Sequence, residues 1–387
     1  MDINKKIKTL NVAWIGQGDF GDEVMAFILR KNLQGIGINK ISYYEHGTEP
    51  VYTNNNDIKI KFIHKHNSSK TLKKIIDYFS VNKYNLLIFG GGSILHSVNS
   101  IKWKYNLVRK IKNNNPHTFI ATVGVSIGPF QQPEKSSKLC SKFLNSTDIA
   151  ILRDIASYKI AQKLSSNKNI FDSLDSSILI KKIAPEEIPP RDYNLKSQDL
   201  VGFIPVENKN WQRQFEQQRH FDKYLSIINH ITSSGRQVRL FTHYTGSGYM
   251  DDKLVAALKQ KSDNPRAISV YKFNHNIFDM IAELNKCGYL ISMRLHGVIF
   301  SYILGIPFIS LGYDPKNQNF CRSIKYPNEM CFNIWDLNQT KTLTNSFERL
   351  VQLKKSIFNN SMDLGQAILK VDQNFNKLNQ KIKQKLL

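Results

Sequence analysis

The 387-residue sequence predicts an α/β protein of two Rossmann-like domains, with parallel sheets facing a cleft and a helical C-terminal tail. Three observations carry that reading. Short apolar, β-prone runs alternate with amphipathic helical stretches over the first 185 residues. The stretch KIAPEEIPPRDYNLKS at 182–197 holds three of the twelve prolines and no apolar period, and after it the alternation restarts. Residues 288–320 read as strand, loop, short helix and strand. In such a parallel unit both strands open on the same sheet edge.

The elements follow in order. Strands are predicted at 12–15, 86–89, 119–125, 149–152 and 170–171, and helices at 22–33, 70–82, 98–112, 133–144 and 155–164. These make an N-terminal domain over residues 1–185. Strands at 200–206, 238–244 and 268–273, helices at 218–234, 250–260 and 275–286, and the unit at 288–320 make a C-terminal domain over 198–340. Residues 341–387 read as basic helices, expected to pack back on the domains, with a membrane surface as the alternative.

Composition narrows the function classes. No run approaches the roughly 20 uncharged apolar residues of a membrane span. The N-terminus leads straight into a strand without a signal core. Cys140, Cys287, Cys321 and Cys331 show neither CxxC pairing nor zinc spacing, so reduced thiols in a cytoplasmic protein are expected. The net charge of +23 suits anionic small substrates or an acidic membrane surface; compositional bias toward Lys is the plain alternative. Nucleic acid is disfavoured, because the lysines are scattered and no finger, RNP-like strand or dense basic arm is present.

The chemistry-bearing residues gather at predicted strand ends. Gly16-Gln17-Gly18-Asp19-Phe20-Gly21 matches GxGxxG, with Glu45 at ribose distance, but Asp19, Asp22 and Glu23 would repel a pyrophosphate. A tight turn, or Asp22 bonding sugar hydroxyls, fits better. Gly90-Gly91-Gly92-Ser93 follows a strand and lets a ligand approach the backbone. Arg153-Asp154 ends another strand. Arg294 and His296 follow the strand at 290–293, and Lys316 follows the next. All should meet at carboxyl strand edges, the usual ligand site of open α/β sheets.

Together GQGDFGDE, FGGGS, GVSIGP, Arg153-Asp154 with Ser157 and Asp175, and SMRLHGVIFSYILGIPFISLGYDPK resemble the polysaccharide pyruvyl transferase family across most of residues 12–320. That family often has Asn where Asp19 stands. The resemblance implies a GT-B-like fold and transfer of pyruvate from phosphoenolpyruvate (PEP) to two hydroxyls of a sugar, forming a cyclic ketal. The acceptor would be a surface polysaccharide or its lipid-linked precursor, in cell-envelope assembly. By motif position Arg153, Arg294, His296 and Lys316 would bind PEP, with His296, Arg153 and Lys316 catalytic. Asp19, Asp22, Gly91, Gly92 and Ser93 would face the acceptor. Guanidinium forks and an ammonium suit a substrate carrying phosphate and carboxylate, and a histidine suits proton transfer. No metal and no other cofactor is implied. The rival readings are a nucleotide-sugar glycosyltransferase on the same architecture, and a non-enzymatic binder of nucleic acid or anionic lipid.

Overall fold

A computed structural model describes residues 7–44, 58–60, 83–190, 199–207, 214–245, 251–335 and 340–387. The predicted helix at 70–82, Glu45 and residues 191–197 of the predicted linker lie outside them. The chain forms two compact units, neither continuous in sequence.

The first unit takes the residues up to Gly16, then Asp22–Leu179, then Ile368–Leu387. Its sheet has seven parallel strands in the order β3-β2-β1-β4-β5-β6-β7. They are β1 (Thr9–Val12), β2 (Ile41–Tyr44), β3 (Ile58–Ile60), β4 (Leu86–Leu95), β5 (Phe119–Ile127), β6 (Ile149–Leu152) and β7 (Ile170–Asp172). The order reverses between β1 and β4, which makes their carboxyl ends a topological switch point. α1 (Phe20–Gln34), α2 (Val98–Asn114), α3 (Pro133–Asn145) and α4 (Ile155–Leu164) are the helices between strands. Local chemistry starts them: the Ser97 hydroxyl accepts from Ser100 N, Pro133 opens α3, and Asp154 caps α4. Phe89, Ile101, Val108, Phe143 and Leu152 belong to its buried core.

β2, β3 and the short strand at 331–333 were not expected from the sequence, and two expected strands have other bounds. β1 occupies 9–12 rather than 12–15, because Val12 pairs with Phe89 and the chain then leaves the sheet toward the Gly16 turn. The polar Thr9 and Asn11 hid its true start, although both are buried. β4 does not stop at Phe89. It runs through the glycines, pairing Gly90 with Val123 and Gly92 with Val125, before its register shifts toward Leu95. Gly91 and Gly92 have φ of 70° and 82°, values that let an irregular strand continue where side chains would strain it.

The second unit takes Gln17–Gly21 and Ile180–Ala367. Six parallel strands run β10-β9-β8-β11-β12-β13, namely β8 (Leu200–Ile204), β9 (Gln237–Thr242), β10 (Ile268–Lys272), β11 (Tyr289–Ser292), β12 (Phe308–Gly312) and β13 (Cys331–Asn333). Here the switch lies between β8 and β11. The helices are α5 (Gln214–Ser233), α6 (Asp251–Lys261), α7 (Ile277–Asn285), α8 (Leu295–Leu304), α9 (Pro315–Ser323) and α10 (Thr340–Leu353). Every residue of α8 is buried. Gly305 ends it at φ 64°, as the Gly-x-Pro stop signal predicts.

A last helix, α11 (Leu364–Leu386), contributes its residues from Ile368 onward to the first unit. Val371, Phe375, Leu378 and Ile382 form its buried stripe at helical spacing. Lys370 pairs with Asp172 at 2.5 Å and Lys385 with Asp148 at 2.7 Å, so two of its lysines hold the helix to the first sheet. Among the described residues no helix is long and apolar enough to cross a membrane.

Candidate active site

Each unit presents a group of polar side chains at the carboxyl edge of its own sheet. In the first unit the centre is Arg153, one residue beyond β6. It is buried, and its guanidinium is occupied on three sides. Nε donates to Ser126 Oγ at 2.6 Å, Nη2 to Ser93 Oγ at 3.1 Å, and Nη1 to Asp175 Oδ2 at 3.3 Å. Asp175 is only 1% exposed and is fixed in turn by the Ser177 N–H. Asp154 accepts from Ser157 N at 2.8 Å and from Ser126 Oγ at 3.0 Å, while Ser157 Oγ accepts from Ile127 N at 2.9 Å. The Arg-Asp-x-x-Ser spacing is thus one network joining β4, β5, β6 and the segment after β7. Arg153, expected to bind the donor, sits at the centre of this network and donates to the Ser93 hydroxyl.

Asp22, Gly91 and Gly92 stand at the same edge. A Cβ on Gly92 would lie 3.6 Å from Asp22 Oδ1, so the carboxylate rests beside the glycine stretch. A small pocket is lined by Asn11, Asp22, Met25, Gly90, Gly91 and Ser176. Glu23, in the first turn of α1, is fully buried and accepts from Gly16 N at 2.8 Å. It fixes the glycine turn.

In the second unit, Arg294 is the N-cap residue of α8. Its Nη2 donates to Asp251 Oδ2 at 2.5 Å, and Nη1 lies 3.8 Å from Asp19 Oδ2. Burial opposes the guanidinium's charge, but Asp251, Tyr313 and Asp19 outweigh it and hold the proton more tightly than usual. Asp251 is buried at the start of α6 and accepts from Glu207 N at 3.1 Å. Asp19, expected on the acceptor side, belongs to this unit with Arg294. The backbone explains why: Phe20 N donates to His243 O at 3.0 Å and Thr245 N to Gly18 O at 3.0 Å.

His296 stands in the first turn of α8, not in a loop, and is 9% exposed. Gly21 makes room for it. A Cβ on Gly21 would fall 1.7 Å from Nδ1 and about as close to two ring carbons. Lys316, in the first turn of α9, pairs with Asp314 at 2.8 Å and donates to Tyr313 Oη at 3.3 Å. At 26% side-chain exposure it is the most accessible of the expected cations. Arg153, Arg294 and Lys316 therefore each carry a carboxylate partner.

Asp251 and His243 were missed in the sequence. His243 lay inside the strand expected at 238–244, and only the observed end of β9 at Thr242 puts it beyond the sheet edge. Asp251 had no readable signal, since an aspartate heading a helix is ordinarily a cap. Groups of three or more residues able to hold a metal ion do not occur among the described residues.

The family model for polysaccharide pyruvyl transferase matches residues 19–315. No curated protein matches the chain in sequence. Solved structures of similar shape include the S. aureus MnaA–UDP structure, at TM-score 0.63 and 8% identity over 97% of each chain. The UDP-GlcNAc 2-epimerase of Methanocaldococcus jannaschii, with UDP-GlcNAc and UDP, aligns at TM-score 0.61 and 10% identity, covering 96% of this chain and 99% of its own. Anabaena Alr3699/HepE, with UDP and glucose, aligns at TM-score 0.53 and 10% identity, over 98% of this chain and 99% of its own. At such identities the likeness concerns the fold, which is GT-B-like.

Proposed function

The chain belongs to the polysaccharide pyruvyl transferase family and is a pyruvyltransferase; on that premise we propose that it transfers pyruvate from PEP to two hydroxyls of one sugar, closing a cyclic ketal. The acceptor we assign is a surface polysaccharide or its lipid-linked precursor. The observation that carries this reading is the second unit's edge. Arg294 and His296 follow β11, Lys316 follows the adjacent β12, and Gly21 leaves space for the imidazole.

Each residue then has a role. Lys316, at the start of α9, binds the donor's anionic groups by exchanging its bond to Asp314 for one to substrate. Arg294, held by Asp251 and Asp19, shapes the site and offers its remaining donors to the carboxylate. His296 protonates the methylene carbon of PEP, so that the neighbouring carbon accepts the first hydroxyl oxygen. The second hydroxyl then displaces phosphate. Of the two hydroxyl protons, one replaces the proton that became part of the methyl group and the other leaves with phosphate. In the first unit, Asp22, Gly91, Gly92 and Ser93 take the sugar, with Ser93 oriented by Arg153. This route uses no metal and no cofactor besides PEP as co-substrate. We place the enzyme in the cytoplasm, with electrostatic contact to the inner membrane face where lipid-linked acceptors reside.

The test is incubation with PEP and a panel of lipid-linked and aryl glycosides, following inorganic phosphate and the pyruvyl mass increment on the glycoside. Release of nucleoside diphosphate from a nucleotide sugar, with no phosphate from PEP, would overturn the proposal in favour of glycosyl transfer.

A further inference from the structure

His243 lies one residue beyond the carboxyl end of β9 and is 2% exposed. Neither of its ring nitrogens has a hydrogen-bond partner among the described residues. An unmatched buried imidazole is costly, and a fold that keeps one calls for a reason.

The reason suggested by the packing is a second imidazole. Phe20 meets the His243 ring edge-on, with centroids 5.0 Å apart, and its N–H donates to the His243 carbonyl. The next residue, Gly21, lies against the ring of His296. Phe20 also touches Phe300, one turn beyond His296 on α8, at 4.9 Å between centroids. Two consecutive residues thus hold the two histidines. The charged and titratable groups around them are few. Arg294 and His296 act on His243 directly; Asp251 and Asp19 flank Arg294; the Tyr244 ring lies 5.8 Å from its guanidinium. His275 is set behind, against Phe273, which touches Phe20 at 5.6 Å. Burial, then Arg294, then His296 push the His243 proton affinity well below the ordinary value, so the ring stays neutral.

A neutral imidazole keeps one nitrogen lone pair as an acceptor, whereas a protonated one donates from both nitrogens. Building on the reading that His296 moves the proton, we infer that His243 is a positioning residue for it. Its acceptor nitrogen takes a hydrogen bond from the protonated His296 ring and fixes that ring's orientation beside Arg294.

The experiment is a histidine NMR titration of the full chain, alongside the pH profile of kcat/KM. In His243→Phe the His296 midpoint should fall by about one unit, and the matching limb of the rate profile should move with it. His243→Asn, which retains an acceptor oxygen, should restore most of the shift. A purely structural residue would lower the rate and leave the limb in place. The wild-type protein alone gives a second readout. The ¹⁵N shift of the His243 acceptor nitrogen should change as His296 titrates, while the ring itself stays neutral. A flat ¹⁵N response, or a His296 midpoint equal in wild type and folded His243→Phe, overturns the inference. An active His296→Ala enzyme would instead overturn the role of His296 and leave the measured coupling standing, so the two failures are distinguishable.

Discussion

Gly21→Ala offers the sharpest test of the second unit's edge. The new Cβ would lie 1.7 Å from His296 Nδ1, where ordinary contact begins at 3.4 Å, so the ring must retreat by about 1.7 Å. The backbone has no objection, because Gly21 lies within α1, where alanine is favoured by up to about 1 kcal/mol. Overpacking opposes this by about 1–3 kcal/mol, so the net loss of stability should stay below about 2 kcal/mol. Catalysis should suffer far more. A misplacement of about 1 Å costs around 100-fold, and complete loss of a proton-transfer group about 10,000-fold, so kcat should fall between those bounds. PEP affinity should change little, since Lys316 is untouched. Single-turnover rates and equilibrium PEP binding separate the two effects, and thermal denaturation reports the fold. The reasoning also predicts that Gly21→Ala adds no further loss in a His296→Ala background. Wild-type turnover in the single variant, or an additive loss in the double variant, would refute it.

Other perturbations address the remaining assignments. Arg153→Ala strands the Asp175 charge in the interior and should cost about 3–5 kcal/mol in chemical denaturation, with partial recovery when Asp175→Ala is added; normal stability with weakened PEP binding would make Arg153 a donor ligand instead. Lys316→Ala should cost less than about 1 kcal/mol of stability yet weaken PEP binding about tenfold or more, as calorimetry would show. Lys104 is buried and bonds to Ser100, and desolvation lowers its ammonium to about 8. Between that pH and the unfolded value near 10.5 the unfolded chain binds the extra proton, so stability should rise with pH across the window. Lys104→Met should abolish that rise and add about 2 kcal/mol at pH 7, measured by denaturant midpoints. Because the apolar stripe of α11 is buried, any sedimentation with anionic vesicles should vanish in high salt and be absent with neutral ones.

The fold was legible wherever period and punctuation agreed. Gly305 with Pro307 marked the end of α8, and the alternation of strands with helices yielded two parallel sheets. It misled where polar residues belong to a buried strand, as Thr9 and Asn11 do, and where glycines continue a ladder instead of breaking it. For the site, the sequence located the cations but not their charges' company. Asp251 is 43 residues from Arg294, and nothing local marks it as that arginine's partner. The placement of Asp19 with Arg294 and of Asp22 beside Gly92 was equally hidden, because these two aspartates, three positions apart, are divided between two units.

That division bears on how the enzyme could be re-engineered. The chain passes from one unit to the other after Gly16, Gly21, Leu179 and Ala367. A chimera that exchanged everything from Ile180 onward to import a different donor specificity would bring a new His243 and His296. It would leave the old Asp19, Phe20 and Gly21 in place beneath them. The short insert Gln17–Gly21 has to travel with the distant half, so grafting this specificity takes two segments cut from separate parts of the gene.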